Sequence, residues 1–349
     1  VDVADARLVR GQLDRILRYD ARKDLLDVGV EPARDLGGRR ASETAGPRLS
    51  ATNRHIFTAT ADPIQERTPQ SMAKTIADLI QARFGLSTRA GATMPAEGTV
   101  ATLLSHRIHR RYKPDPVPEE HLEIALAAAL SAPSKSDLQQ IGIVLIRDKA
   151  KQATIGSWIP DMPWIAQCPL FIIFCGDHRR MRRVAELRGK PFPNDTLDMF
   201  FNAAVDTGLV MQNFITAAEG LGLGCCPISV VRNHIEKLAE LLELPPAVFP
   251  VAGLCVGYPS QPGWISMRLP PALTVHTDRY DDSKFETLLE DYDRRREAVH
   301  ATPPENQRFA DTWGRVERYG WSEDKARQYS VPERHNFGPF IRRHGFGLA

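Results

Sequence analysis

The sequence predicts an α+β fold in which a central sheet, antiparallel or mixed, is flanked by helices. Three observations carry this. Apolar runs of strand length stand at 141–146, 169–175 and 248–257, separated by helical patterns. From Leu170 onward the second run holds no polar residue, so that strand is covered on both faces and lies centrally. Between the second and third runs, residues 196–221 read as one helix of about 39 Å. Phe200, Phe201, Ala204, Leu209, Met211, Phe214, Ile215 and Ala218 leave that helix no wide polar face. A second subunit is the economical way to cover it, and a homodimer is expected.

In chain order, the first hundred residues differ from the rest. Leu8, Leu13, Ile16 and Leu17 fall on one helical face, which Gly11 weakens by about 1 kcal/mol. Residues 36–50 are Gly, Arg and Ser with little to bury, the composition of a linker. A helix is expected from Thr68 as N-cap and Pro69 as first helical residue, through Met72, Ile76 and Ile80 to a stop at Gly85. Pro118 opens the next, with Leu122, Ala125, Leu126 and Ala129 apolar, ending near Ala132-Pro133. Leu273-Thr274-Val275 reads as a short fourth strand.

Composition removes several functions. With 45 Lys and Arg against 43 Asp and Glu, the net charge of +2 gives no global field for nucleic acid. The five cysteines (168, 175, 225, 226 and 255) match no zinc spacing and sit in apolar runs, as buried thiols of a reducing compartment do. No apolar run is long enough to span a bilayer, and no signal peptide is visible. A cytoplasmic protein is expected, with no membrane or nucleic-acid partner.

A basic site must therefore be local, and the heptad His106-Arg107-Ile108-His109-Arg110-Arg111-Tyr112 is its candidate. Five potential cations so close together call for an anion. His106 and His109 are three apart, but no carboxylate or cysteine completes a metal site, so no metal is expected. Ser134-Lys135-Ser136-Asp137-Leu138-Gln139-Gln140 gathers hydroxyls, amides and a lysine in one loop suited to a polar heterocycle. Arg268 provides a second basic element. Gly220-Leu221-Gly222-Leu223-Gly224 closes a helix instead of opening one, so it is a C-cap and no dinucleotide fingerprint.

Taken in order, these motifs resemble the nitroreductase superfamily of flavoproteins, in particular its NADPH-dependent nitroreductase and flavin reductase branch. The matching stretches are 106–112, 134–139, 206–224, 228–233, 253–259 and 268–270, with Asp311-Thr312-Trp313 and Pro339-Phe340 similar to that branch's C-terminal extension. The resemblance covers about residues 100–349 and nothing in 1–95. It implies a nitroreductase-like α+β homodimer with the long helix at the interface and one FMN at each end of it. It divides the chain into an N-terminal extension (1–95), an FMN-binding domain (96–300) and a C-terminal extension packing on the dimer (301–349).

By the same resemblance, His106, Arg107 and Arg268 meet the FMN phosphate, and Arg110 reaches the N1 and O2 edge of the flavin. Ser134, Lys135, Ser136 and Gln139 contact the ring edge or the ribityl chain. The backbone at Ile228, Ser229 and Val230 lies near N5. No catalytic side chain is implied, because the flavin carries the hydride. His109 and Arg111 are expected to point away. The implied reaction is ping-pong transfer of hydride from NADPH or NADH to a small acceptor such as a nitroaromatic, a quinone or a flavin. A reductive dehalogenase, a flavin-fragmenting enzyme and a non-catalytic flavin-binding regulator are the alternatives. Four positions depart from the pattern. Ile108 replaces a serine, losing one hydrogen bond of about 1 kcal/mol. Ser266 replaces a lysine, Ser229-Val230 a glycine pair, and Gly338 an arginine for the NADPH ribose phosphate, for which Arg334, Arg342 and Arg343 are substitutes. FMN is expected to bind less firmly than is usual.

Overall fold

The computed structural model describes residues 73–347, so the readings at 8–17, at 36–50 and at Thr68 to Met72 lie outside the described residues. Twelve α-helices are described: α1 (Ile76–Phe84), α2 (Gly98–Ser105), α3 (Glu119–Leu130), α4 (Lys149–Ser157), α5 (Trp164–Gln167) and α6 (Arg179–Leu187), then α7 (Leu197–Gly220), α8 (Ile235–Leu241), α9 (Phe285–Val299), α10 (Ala310–Trp313), α11 (Trp321–Tyr329) and α12 (Phe337–Arg343). Four strands, β1 (Ile141–Ile146), β2 (Leu170–Asp177), β3 (Gly224–Ile228) and β4 (Val248–Gly257), pair antiparallel in the order β1-β2-β4-β3.

The alternation of side chains along β2 divides the core. Ile172 and Phe174 face Leu122, Ala125, Ala129, Val210 and Phe214 of α3 and α7. Phe171, Ile173 and Cys175 face the opposite way, toward Ile155, Ile165, Val231 and Leu238. The sheet is thus covered on both sides, as its unbroken apolar strands require. Two glycines permit close approach across it. A Cβ at Gly253 would lie 2.6 Å from Phe171 Cζ, and one at Gly176 2.5 Å from Phe249.

The long helix begins after Thr196 and ends with Leu221 as C-cap, within a residue of expectation. Gly222, at φ +80°, follows in the left-handed region, and Leu223 N donates to Ala218 O while Gly222 N donates to Glu219 O. This is the glycine-terminated helix end read from the sequence. Phe214 meets Phe174 edge-on at 5.9 Å between centroids. Leu197, Phe201, Val205 and Leu209, spaced by four, are exposed along one side of α7.

Three elements differ from expectation. The helix that ends at Gly85 starts at Ile76, because Thr75 and Asp78 form a capping box in which each side chain accepts the other's N–H. Residues 273–275 form no strand. Pro270 and Pro271 fix φ and offer no N–H, and the chain turns as Thr274 and Val275 both donate to Pro271 O. The fourth strand is instead β3, which follows directly from the glycine run and tolerates Pro227 at the edge of the four-stranded ladder. All five cysteines are free and buried, so adjacent Cys225 and Cys226 are packing residues. Burial pushes the Cys175 thiol up to about 12. Among the described residues no helix is long and apolar enough to cross a membrane.

Candidate functional site

The basic heptad leaves the end of α2 in extended form and lies beside β3. Ile108 bridges Cys225 in parallel, His109 N donates to Cys225 O at 3.0 Å, and Tyr112 bridges Pro259. The parallel alignment carries Arg110 toward the C-terminal end of β3, where Ile228 is buried, Ser229 exposed and Val230 half-buried. Tyr112 locks the bend by donating to His109 O at 2.6 Å. Burial raises its phenol well above the ordinary range.

Each cation of the heptad has its own setting. His106 Nδ1 lies 2.6 Å from Glu219 Oε1, at the last turn of α7, and both side chains are largely covered. Arg107 makes one long bond, 3.4 Å from Nη1 to Pro262 O, and its buried Nε has no partner. Arg110 holds its guanidinium 5.4 Å from the centroid of the Trp164 ring. It is near enough to Cys226 to oppose burial, which nevertheless pushes that thiol up to about 11. Arg110 and Arg111 are both exposed. His109 is half-buried. Its ring packs against Gly224 and Gly263, where only the absence of a Cβ leaves room, and burial lowers its pKa.

Arg268 reaches this region through a residue the sequence reading passed over. Arg83 of α1 is 5% exposed. Its guanidinium donates to Leu104 O (2.9 Å), His106 O (2.6 Å) and Ser266 O (2.8 Å), and its own carbonyl accepts from Arg268 N at 2.8 Å. Burial, then the nearby Arg268, push Arg83 down to about 10, with Arg107 adding to the effect and Glu219 opposing it. His106, Arg107, Arg268 and Arg83 thus gather in one place, against a single carboxylate. No periodicity or motif marked Arg83. The signal that could have marked Glu219 is its place as the one acid in the last turn of α7, beside the glycine-terminated end.

The loop at 134–140 is held elsewhere. Asp206, buried on α7, accepts from Lys135 N (3.1 Å) and Gln140 N (3.3 Å). Ser134 Oγ accepts from Gln139 N, and Gln139 Nε2 donates to Asp137. Ser136, Asp137 and Gln139 all have φ near +50°, conformations that non-glycine residues adopt at a cost. Lys135, Ser136 and Gln139 are exposed. Asp206 and Glu219 are thirteen residues apart on α7, so this loop and the cation cluster are anchored about 20 Å apart along one helix. One chain therefore does not bring the three sequence-predicted loops together. It joins 106–107 with 268 around Arg83, and sets Arg110 beside Cys226 and Trp164.

Near the C-terminus, Gly338 stands open, and Arg342 Nη1 lies 3.6 Å from where its Cβ would be. Arg334 pairs with Glu333 and Arg343 with Glu236.

A covered antiparallel sheet, a long helix with an exposed apolar stripe, and a local cluster of cations beside one carboxylate characterise this α+β protein. Comparison with known proteins narrows the class. Residues 103–258 match the Nitroreductase family model, and 266–349 match the model for that family's C-terminal domain. FMN reductase [NAD(P)H] of Bacillus subtilis is 35% identical over 197 residues, 56% of this chain and 79% of that protein. The oxygen-insensitive NADPH nitroreductase of Salmonella typhimurium is 35% identical over 218 residues, 62% of this chain and 87% of that protein. Among solved structures, NfrA2 of B. megaterium superposes with TM-score 0.65 at 31% identity, over 72% of this chain and 98% of the other. The chain belongs to the nitroreductase family.

Proposed function

We propose that this protein is an FMN-dependent NAD(P)H oxidoreductase that reduces small electrophiles such as nitroaromatics, quinones or free flavins. The observation that carries the reading is the convergence of His106, Arg107 and Arg268 beside buried Arg83, with Arg107 Nε unpartnered and only Glu219 to balance the charge. A phosphate dianion suits such a cluster, since charge-assisted bonds to guanidinium groups are the strong ones. The names of the relatives, FMN reductase and NADPH nitroreductase, point to FMN as the phosphate's owner.

When bound, FMN would supply the hydride chemistry that links NAD(P)H to the acceptor. The chain's part is to bind and tune. His106, held by Glu219, and Arg107 and Arg268 take the phosphate. Arg110, steadied on the Trp164 ring, offers a fixed positive charge to the edge where a reduced flavin gathers negative charge. The turn at Ile228, Ser229 and Val230 borders the reactive face, with the Val230 side chain narrowing it. No acid or base is required of the protein.

The site is completed by a second copy of the chain. Support comes from the stripe Leu197, Phe201, Val205 and Leu209 on α7, with Ile124 and Leu130 of neighbouring α3 also exposed. A twofold partner laid along α7 brings its own Ser134, Lys135, Ser136 and Gln139 toward the cation cluster, spanning the separation of about 20 Å within one chain. In this reading 96–300 is the flavin domain, 301–349 packs on the dimer, and Arg342 beside Gly338 takes the ribose phosphate of NADPH. A cytoplasmic location is in keeping with five unpaired, buried thiols.

The deciding experiment is the absorbance spectrum of the purified protein with and without added FMN, then under anaerobic NADH or NADPH. Flavin bands that bleach on reduction and return with an acceptor are expected. A protein that binds no FMN and oxidises neither nucleotide overturns the reading.

A further inference from the structure

We infer that Arg83, on the helix preceding both family-matched segments, is the positioning residue that holds the two halves of the phosphate cradle in register. The inference rests on the FMN reading above. The cradle is made from chain segments far apart in sequence, 106–107 and 266–268. Arg83 touches both: its guanidinium donates to the carbonyls of Leu104 and His106 on one side and of Ser266 on the other. Its backbone carbonyl fixes Arg268 N. A planar guanidinium can serve acceptors in two directions at once, which a lysine ammonium on its single stem does less well.

The helix carrying Arg83 is itself fixed from behind. Arg295 Nη1 donates to Phe84 O at 2.6 Å, and Met267 packs onto Gly85, whose φ of +66° and tight contact leave no space for a side chain. Tyr292 and Arg296 both donate to Met267 O. α9 and α1 therefore grip the 266–268 segment between them. Ser266 brings no charge of its own, and Arg83 places a cation directly behind it. Burial first, and then the charges of Arg268 and Arg107, lower the pKa of Arg83, in keeping with a cationic setting that an anion would relieve. Residues 76–84 thereby become part of the flavin site without any need to touch the flavin.

The test compares FMN with riboflavin, which has the same ring and ribityl chain and no phosphate. Full-length apoprotein is titrated calorimetrically with each ligand, for wild type, Arg83→Lys and Arg83→Met, with a urea melt on every variant. Wild type is expected to prefer FMN. Arg83→Lys should lower that preference roughly tenfold and Arg83→Met further, with riboflavin affinity within about threefold of wild type throughout. Should Arg83→Met fail to fold, Arg83→Lys decides alone. A folded Arg83→Lys with the wild-type preference, or one that loses FMN and riboflavin by the same factor, overturns the inference. Wild type that binds neither ligand overturns the flavin reading instead.

Discussion

Removing the carboxylate of Asp206 should release the 134–140 loop without unfolding the protein. Asp206 is 1% exposed and receives two backbone N–H groups from the loop, at 3.1 and 3.3 Å. In Asp206→Ala the N–H of exposed Lys135 can turn to water, a loss of about 1 kcal/mol, whereas that of fully buried Gln140 is left unpaired at about 2 kcal/mol. The hold is thus about 3 kcal/mol. Against it stand three non-glycine residues with φ near +50°, each costing about 1 kcal/mol or more. The two magnitudes are comparable, so the loop gains by letting go once its anchor is lost. Amide hydrogen exchange is the assay. Exchange at Lys135 and Gln140 should accelerate on the order of 100-fold, one factor of ten per 1.4 kcal/mol. The urea midpoint should change far less than a global loss of 3 kcal/mol would require, since relaxed loop strain offsets part of the cost. Unchanged exchange at both amides in a folded variant would refute the anchoring argument. A full loss of stability would refute the idea that the loop opens on its own.

Four further outcomes follow from the same structure. Gly224→Ala places a Cβ 2.7 Å from both the His109 ring and Pro259; it should cost about 1–3 kcal/mol in urea and weaken FMN, because the heptad must shift. Phe214→Ala, buried between α7 and the sheet and edge-on to Phe174, should cost about 3–5 kcal/mol, and a loss under 1 kcal/mol would contradict the core assignment. The pKa values of His109, His178, His234 and His344 are all lowered, chiefly by burial. The unfolded chain therefore binds protons first as pH falls through about 6.5, and stability present above that pH should decline over the interval below it. A urea midpoint that is flat or rises over that interval would disprove it. Phe201→Lys, in the exposed stripe of α7, should yield monomers by sedimentation and weaken FMN in the same preparation; a dimer of normal flavin content would speak against the shared site.

The strands at 141, 170 and 248 and the helix at 197 were legible within a residue or two, because an unbroken apolar run or an all-round apolar helix admits few other placements. β3 was not. Five residues with a proline inside, beginning on the last of three closely spaced glycines, have no period to read, and only the neighbouring β4 and the heptad make them a strand. The Leu273–Val275 misreading has the opposite cause: β-forming side chains were outweighed by two prolines that cannot join a ladder. Thr75 caps the helix that ends at Gly85 because Asp78, three residues on, closes a box with it, a pairing that apolar periodicity does not record.

The sequence by itself determined the fold class, the buried strands, the long helix and the candidate anion-binding loops, since each is written in local pattern or in an ordered series of motifs. Tertiary structure alone decided what those loops do together. It seats His109 in a glycine-lined slot, sets Arg83, which no motif marked, between the 104–106 and 266–268 segments, and separates the 134–140 loop from the cations by about 20 Å along α7. The physical reason is common to all three. Such contacts join residues far apart in the chain, and no local periodicity records where a folded chain will bring two distant segments side by side.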